Sequence, residues 1–172
     1  SLGNSSAILA RGGNVFGDAT GGLGQGSRGG RVELNGYAGV TNSASIDASG
    51  GHDRAALGAS QNIGGLAGYI YLQNTSGLLA NSGALAVNGG DGLRRGGNAG
   101  TAMFYGPVPA QATNSRSFTA NGGNAYPAVG GSVGGNGGIL WFNVDQVLSQ
   151  TGAISFQGGT GQTPGYDGYA FY

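Results

Sequence analysis

The ten residues 81–90 read NSGALAVNGG, and their pattern of Asn or Gln, Ser or Thr, two variable residues, then apolar-x-apolar-x-Gly-Gly returns along the chain. It recurs as NSSAILARGG (4–13), NSASIDASGG (42–51), NSRSFTANGG (114–123) and QTGAISFQGG (150–159). The first residues of the copies, Asn4, Asn42, Asn81, Asn114 and Gln150, stand 38, 39, 33 and 36 positions apart. Inside each copy two apolar residues alternate with others: Ile8 and Ala10, Ile46 and Ala48, Leu85 and Val87, Phe118 and Ala120, Ile154 and Phe156. Alternation of period two over so short a run is the signature of a strand with one buried face. The residue before each Gly-Gly (Arg11, Ser49, Asn88, Asn121, Gln157) is polar, as an outward position should be.

A second strand signal follows a glycine-rich connector in every copy: RVEL (31–34), YIYL (69–72), TAMF (101–104), ILWF (139–142) and YAFY (169–172), each directly after a glycine. Eight residues beyond its first inward position, Val40, Leu78, Ala110 and Leu148 form a weaker third signal. The connectors vary in length while the strand register is maintained. One such repeat cannot bury its own apolar face, so successive coils must stack, equivalent strands lying parallel about 4.8 Å apart. The expectation is an all-β parallel β-helix or β-solenoid of about 4.5 glycine-rich repeats of 33–39 residues, a single repeat domain over 1–172. The recurrent amides Asn4, Asn42, Asn81, Asn114 and Gln150 would form a column at a turn. Two readings of it stand side by side: stacked amides bonding coil to coil, or simply the fitness of Asn for turns. The paired glycines would permit positive φ and close approach of neighbouring backbones. The longer connectors fit either protruding loops or a bundle of polyproline-II helices.

The pattern resembles the glycine-rich parallel β-helices of bacterial secreted and surface adhesins and extracellular fibre proteins, over nearly the whole chain. That resemblance implies a solenoid fold and a location outside the cell or on its surface.

Composition agrees with a folded chain. Of 172 residues 41 are Gly and only 8% are charged, but 38% are hydrophobic, enough to build a core. Formal net charge is zero, so the electrostatic footprint of a nucleic-acid binder is missing. The seven basic residues are all Arg, from Arg11 to Arg116 and including Arg54. There is no Cys, which rules out disulfides and thiolate chemistry. No apolar run is long enough to insert in a membrane as a helix.

If Val32, Ile70, Ala102, Leu140 and Ala170 face inward with Leu34, Leu72, Phe104, Phe142 and Tyr172, the second strands present a largely apolar outer face. It carries Tyr69, Tyr71, Met103, Ile139, Trp141, Tyr169 and Phe171, beside Arg31, Glu33 and Thr101. These residues, with Tyr172 at the end of the chain, are candidates for an interface or for ligand stacking. A strand that is apolar on both sides needs a cover, which could be the connectors, another subunit, or a glycan stacked on Tyr69, Tyr71 and Trp141. No polar cap is visible at either end of the repeat array, so head-to-tail stacking of subunits into a homopolymer is the expectation.

Chemistry finds little support. His52 beside Asp53 reads as a solvated loop histidine. Asp18, Glu33, Asp47, Asp53, Asp91, Asp145 and Asp167 are scattered, and only Asp53 and Asp91 fall in corresponding connectors. The run 89–92 (GGDG) matches only part of a calcium-binding repeat, and 21–24 (GGLG) lacks the helix and Lys of a phosphate loop. Asn4 and Asn74 head glycosylation acceptor motifs. The outward rows are too mixed for an ice-binding surface. No catalytic residue, metal or cofactor is assigned. The sequence reads as a non-enzymatic extracellular structural protein that self-assembles into a fibre or matrix; the alternative is a carbohydrate- or receptor-binding adhesin domain.

Overall fold

A computed structural model of the chain describes residues 1–16, 25–53, 62–107 and 109–172. Asp18, Arg54 and the glycine run 21–24 lie outside them. Among the described residues there are strands and no helix, as their glycine content and period-two patterning require. Three parallel sheets of five strands each run the length of a β-solenoid of about four turns.

The first sheet is built of β1 (Leu2–Asn4), β4 (Val40–Asn42), β7 (Gly77–Asn81), β10 (Ala110–Asn114) and β13 (Gln146–Gln150). The short second sheet holds β2 (Ile8–Leu9), β5 (Ile46–Asp47), β8 (Leu85–Ala86), β11 (Phe118–Thr119) and β14 (Ile154–Ser155). The third holds β3 (Arg31–Gly36), β6 (Tyr69–Asn74), β9 (Thr101–Tyr105), β12 (Ile139–Asn143) and β15 (Tyr169–Phe171). Each strand therefore pairs with its equivalents in the adjacent coils, on one side only for the first and last, and like residues stack: Ile8, Ile46, Leu85, Phe118 and Ile154 in the second sheet, for example. The inward columns of the three sheets make one core, with Ile46, Ile70, Leu72, Leu79, Leu85, Phe104, Phe118 and Leu140 almost wholly buried. In the third sheet's inner column Leu34 and Leu72 give way to a stack of Phe104 on Phe142 (4.7 Å) and Phe142 on Tyr172 (5.4 Å). Tyr172, read as inward, closes that stack yet is 69% exposed because no strand lies over it.

Two expectations are corrected in the first sheet. Leu78 and Leu148 point outward and are exposed, whereas Leu79 and Val147 stand in the core column with Leu2, Val40 and Ala112. The turn between the third and first sheets changes length from coil to coil, so counting forward from the third sheet loses register. Counting two residues back from the Asn column keeps it in the first four coils; a bulge in the pairing of β10 and β13 displaces Val147 by one.

The described parts of the connectors between the second and third sheets are neither isolated loops nor a cover for the third sheet. In each coil an outgoing and a returning leg lie side by side, and the legs of successive coils interleave. Gly51 N–H donates to Ser27, Gly65 to Gly51, Gly90 to Gly65, Gly97 to Gly90, Gly123 to Gly97 and Gly135 to Gly123, all through backbone carbonyls at 2.8–2.9 Å. Within a leg the bonds repeat every third residue. Gly64 and Ala67 donate to the next coil's Arg95 and Asn98, Gly65 and Gly68 donate across to Gly51 and Ala48, and Leu66 points to solvent. A threefold repeat with no bonds inside the leg is polyproline-II geometry, with glycine backbones supplying the lattice. The leg glycines do not take positive φ, which among described glycines is confined to Gly39, Gly77 and Gly131. Their reason is close approach: a Cβ on Gly123 would lie 1.9 Å from the Gly90 carbonyl oxygen, and one on Gly51 would lie 2.1 Å from that of Gly13.

Candidate functional site

The asparagine column is a continuous ladder through four coils. Asn4 Nδ2 donates to Asn42 Oδ1 at 2.7 Å, Asn42 to Asn81 at 2.6 Å and Asn81 to Asn114 at 2.6 Å. Each Nδ2 of Asn42, Asn81 and Asn114 also reaches the carbonyl two residues on (Ala44, Gly83, Arg116), so the amides close the turn as well as the stack. Both functions suit Asn, whose amide offers two donors and an acceptor. Gln150 keeps the turn bond, to Gly152 at 2.9 Å, but its buried Oε1 has no partner and the amide ladder stops below it.

Parallel ladders, invisible in the strand pattern, line the outer side of the outgoing legs. Asn88 N–H donates to Ser49 Oγ, Asn121 N–H to Asn88 Oδ1 and Gln157 N–H to Asn121 Oδ1. Three residues further on, His52 N–H donates to Asn14 Oδ1, Asp91 N–H to His52 Nδ1, Asn124 N–H to Asp91 Oδ1 and Thr160 N–H to Asn124 Oδ1. A polyproline-II leg turns every third amide outward, and these side chains of the preceding coil satisfy it. The signal for the returning legs was present in the sequence, since the third sheet is preceded by GSRGG (26–30), GGLAG (64–68), GGNAG (96–100) and GGNGG (134–138).

His52 is thereby a rung: its Nδ1 accepts the Asp91 amide at 2.9 Å and lies 3.2 Å from the Asp91 carboxylate. Asp91 of the partial calcium motif serves as a rung too, and Asp53 and Asp91 line one shallow groove with Asn124 and Tyr126. A more polar groove runs between Arg11, Asn14, Asp47, Ser49, His52 and Asn88. In it Asp47 accepts from Arg11 Nε at 2.6 Å and from the Ser49 amide at 2.9 Å. Burial pushes the Asp47 carboxyl up, but the bonds from Arg11 and Ser49, with the Arg11 charge, outweigh it and hold it below 3.8. The two glycosylation acceptors are occupied: Asn4 donates into the ladder, and Asn74 is buried with its Nδ2 on the Gly77 carbonyl.

The outer face of the third sheet is a largely apolar strip that carries several exposed rings. Two in-register columns compose it: Arg31, Tyr69, Thr101, Ile139, Tyr169, and Glu33, Tyr71, Met103, Trp141, Phe171. Tyr69 is 36% exposed, Trp141 41%, Tyr169 51% and Phe171 48%, while Tyr71, Met103 and Ile139 are half-buried by their neighbours. The rings pack on one another: Tyr69 on Tyr71 at 6.2 Å, Trp141 against Phe171 at 6.0 Å, and Tyr169 edge-on to Phe171 at 4.8 Å. At the first coils Arg28 and Arg31 sit over the faces of Tyr69 and Tyr71, 5.2 and 4.7 Å from the ring centres, and Arg31 pairs with Glu33. The described parts of the connectors bond to each other and leave this strip open.

No family model matches the chain, and neither the curated proteins nor the solved structures contain a match.

Proposed function

We propose that the chain is an extracellular, non-enzymatic structural protein whose coils stack head to tail into a fibre or matrix. The supporting observation is the translational self-complementarity of the coil-to-coil contact. Each coil offers the next one inward apolar columns and glycine legs in the same positions, and through the first four coils an amide ladder in which the Nδ2 of Asn4, Asn42 and Asn81 each donates to the following coil. A contact that relates neighbours by translation along an axis is heterologous and does not close, which is the geometry of a filament. The coil-to-coil pairing is parallel throughout, so only same-sense stacking repeats it. The test is negative-stain microscopy with light scattering across a concentration series of the 172-residue chain. Ordered polymers of solenoid width are expected, and a monodisperse monomer at the highest concentration would overturn the reading.

A second reading, a carbohydrate- or receptor-binding adhesin, draws on the exposed Trp141 and Phe171, since flat amphipathic rings stack on sugars. Glycan-array binding abolished by Trp141→Ala would favour it.

A further inference from the structure

We infer that the aromatic strip of the third sheet is a lateral pairing surface for a second copy of this chain, the two solenoids lying side by side with axes parallel and pointing the same way. The inference goes beyond head-to-tail stacking and does not require it. Two kinds of two-fold axis lay the strip on itself. One runs across the solenoid and sets the first coil against the fifth. It presses Arg31 onto Tyr169 and strands the Glu33 carboxylate on Phe171, burying an acid against a hydrocarbon ring. The other runs along the solenoid, between the two columns, and sets each residue of one column opposite its strand neighbour in the other. Arg31 then faces the second copy's Glu33, and Glu33 its Arg31. The internal Arg31 and Glu33 pair becomes a closed ring of four alternating charges. Above it Tyr69 meets Tyr71, Ile139 meets Trp141 and Tyr169 meets Phe171. Charge selects the second arrangement, in which two stacks run alongside each other in the same sense, as paired sheets can in a steric zipper.

Charge and ring geometry also argue against other occupants. Apart from Arg31 and Glu33 the two columns carry no charge, so the strip has nothing with which to recognise a charged polymer. Arg28 and Arg31 lie over the rings of Tyr69 and Tyr71, where they compete with a sugar for the stacking face at that end.

Area sets the strength. A strip of two columns, about 13 Å wide and about 24 Å tall, covers roughly 300 Å² per partner, given about 3.3 Å per residue and about 4.8 Å per coil. The total of about 600 Å² is below the roughly 1,200 Å² of a stable interface, so pairs of this chain alone are weak. Pairing strengthens as coils are added, because each new coil docks at high effective concentration.

Sedimentation equilibrium of the chain, and of two copies fused in tandem, tests this, with circular dichroism confirming that each variant folds. A monomer–dimer equilibrium is expected, at least tenfold tighter in the tandem form. Trp141→Arg should abolish it. Arg31→Glu and Glu33→Arg should each weaken it at least tenfold, and the double exchange should restore it, since opposite charges again face each other. Dimers lost in Trp141→Arg with no polymers under the microscope would support pairing and reject the stacking reading. Polymers of one-solenoid width, identical in Trp141→Arg, would reject pairing and leave stacking intact. Failure of the double exchange to restore association, or a strip that binds glycans and does not self-associate, would overturn the inference.

Discussion

Replacing Asn81 by Ala removes the middle rung of the amide ladder, and the structure allows its cost to be counted. Asn81 is 2% exposed, accepts from Asn42, and donates to Asn114 and to the Gly83 carbonyl. Three hydrogen bonds are lost, each contributing about 0.5–1.5 kcal/mol net. The losses are unequal: Asn42 Nδ2 keeps the Ala44 carbonyl, whereas Asn114 Oδ1 loses the only hydrogen-bond donor found for it and stays buried. An orphaned buried acceptor costs about 1–3 kcal/mol, so the total loss is about 4 kcal/mol, a large share of the 5–15 kcal/mol of a typical domain. Asn4→Ala is the control. It breaks one ladder bond and the longer bond from the Ser6 amide and likewise orphans the buried Asn42 Oδ1, but it spares the two further bonds of a middle rung, so it should cost about 2–3 kcal/mol. Urea denaturation followed by circular dichroism, with both variants fitted at a common slope, measures the difference. A loss for Asn81→Ala of 1 kcal/mol or less, or one no larger than that for Asn4→Ala, would refute the claim that the ladder holds the coils together.

Register in the first sheet is tested by neighbouring leucines. Leu79→Ala should cost about 2–5 kcal/mol, and Leu78→Ala about 0.5 kcal/mol or less, in the same denaturation assay. Gly123→Ala, whose Cβ would meet the Gly90 oxygen, should abolish folding or cost several times more than Gly130→Ala, where nothing lies within 4 Å; thermal melts compare them. The Asp47 carboxyl is held below its unfolded value, so its ionisation stabilises the fold above about pH 3.9 and that contribution is lost as pH falls through the folded pKa. Arg11→Ala raises the folded pKa and should move the onset of acid unfolding to higher pH, read by circular dichroism against pH.

The alternation of Ile46 with Ala48 and of Leu85 with Val87 made the strands of the second sheet legible, because a half-buried strand writes its burial in period two. The third sheet was equally clear from Ile70 with Leu72 and Leu140 with Phe142. The first sheet was not, since its register depends on turn length, and Leu78 and Leu79 are chemically identical. Only the position of Asn81 two residues later distinguishes them. The strip residues Tyr69, Tyr71 and Trp141 follow from the same alternation, whereas the Arg28 and Arg31 caps on the tyrosines depend on side-chain conformations that no spacing encodes. The rung role of His52 was hidden for a different reason. Asn14, His52, Asp91, Asn124 and Thr160 share no chemistry beyond a hydrogen-bond acceptor near the backbone, so a scan for like residues passes over them.

Two different forces hold the two halves of each coil. In the three-sheet prism the apolar columns leave water, and burial of each large side chain contributes about 1.5–3 kcal/mol. The paired legs have almost no side chains to bury. Each glycine placed there costs roughly 0.5–1 kcal/mol of extra chain entropy relative to alanine, and each closes a backbone hydrogen bond contributing about 0.5–1.5 kcal/mol. The two nearly cancel, so the legs are marginal alone and depend on the prism to bring them into register. That dependence explains how repeats of 33 to 39 residues stay commensurate. The strands and the five-residue returning legs set the coil spacing, and among the described residues part of the difference in length is taken up in the turns between the third and first sheets and by the bulge between β10 and β13. A stack whose strands return to register from coil to coil despite unequal repeats is able to add coils without accumulating mismatch, and an outer strip in the same register gains length with every coil added.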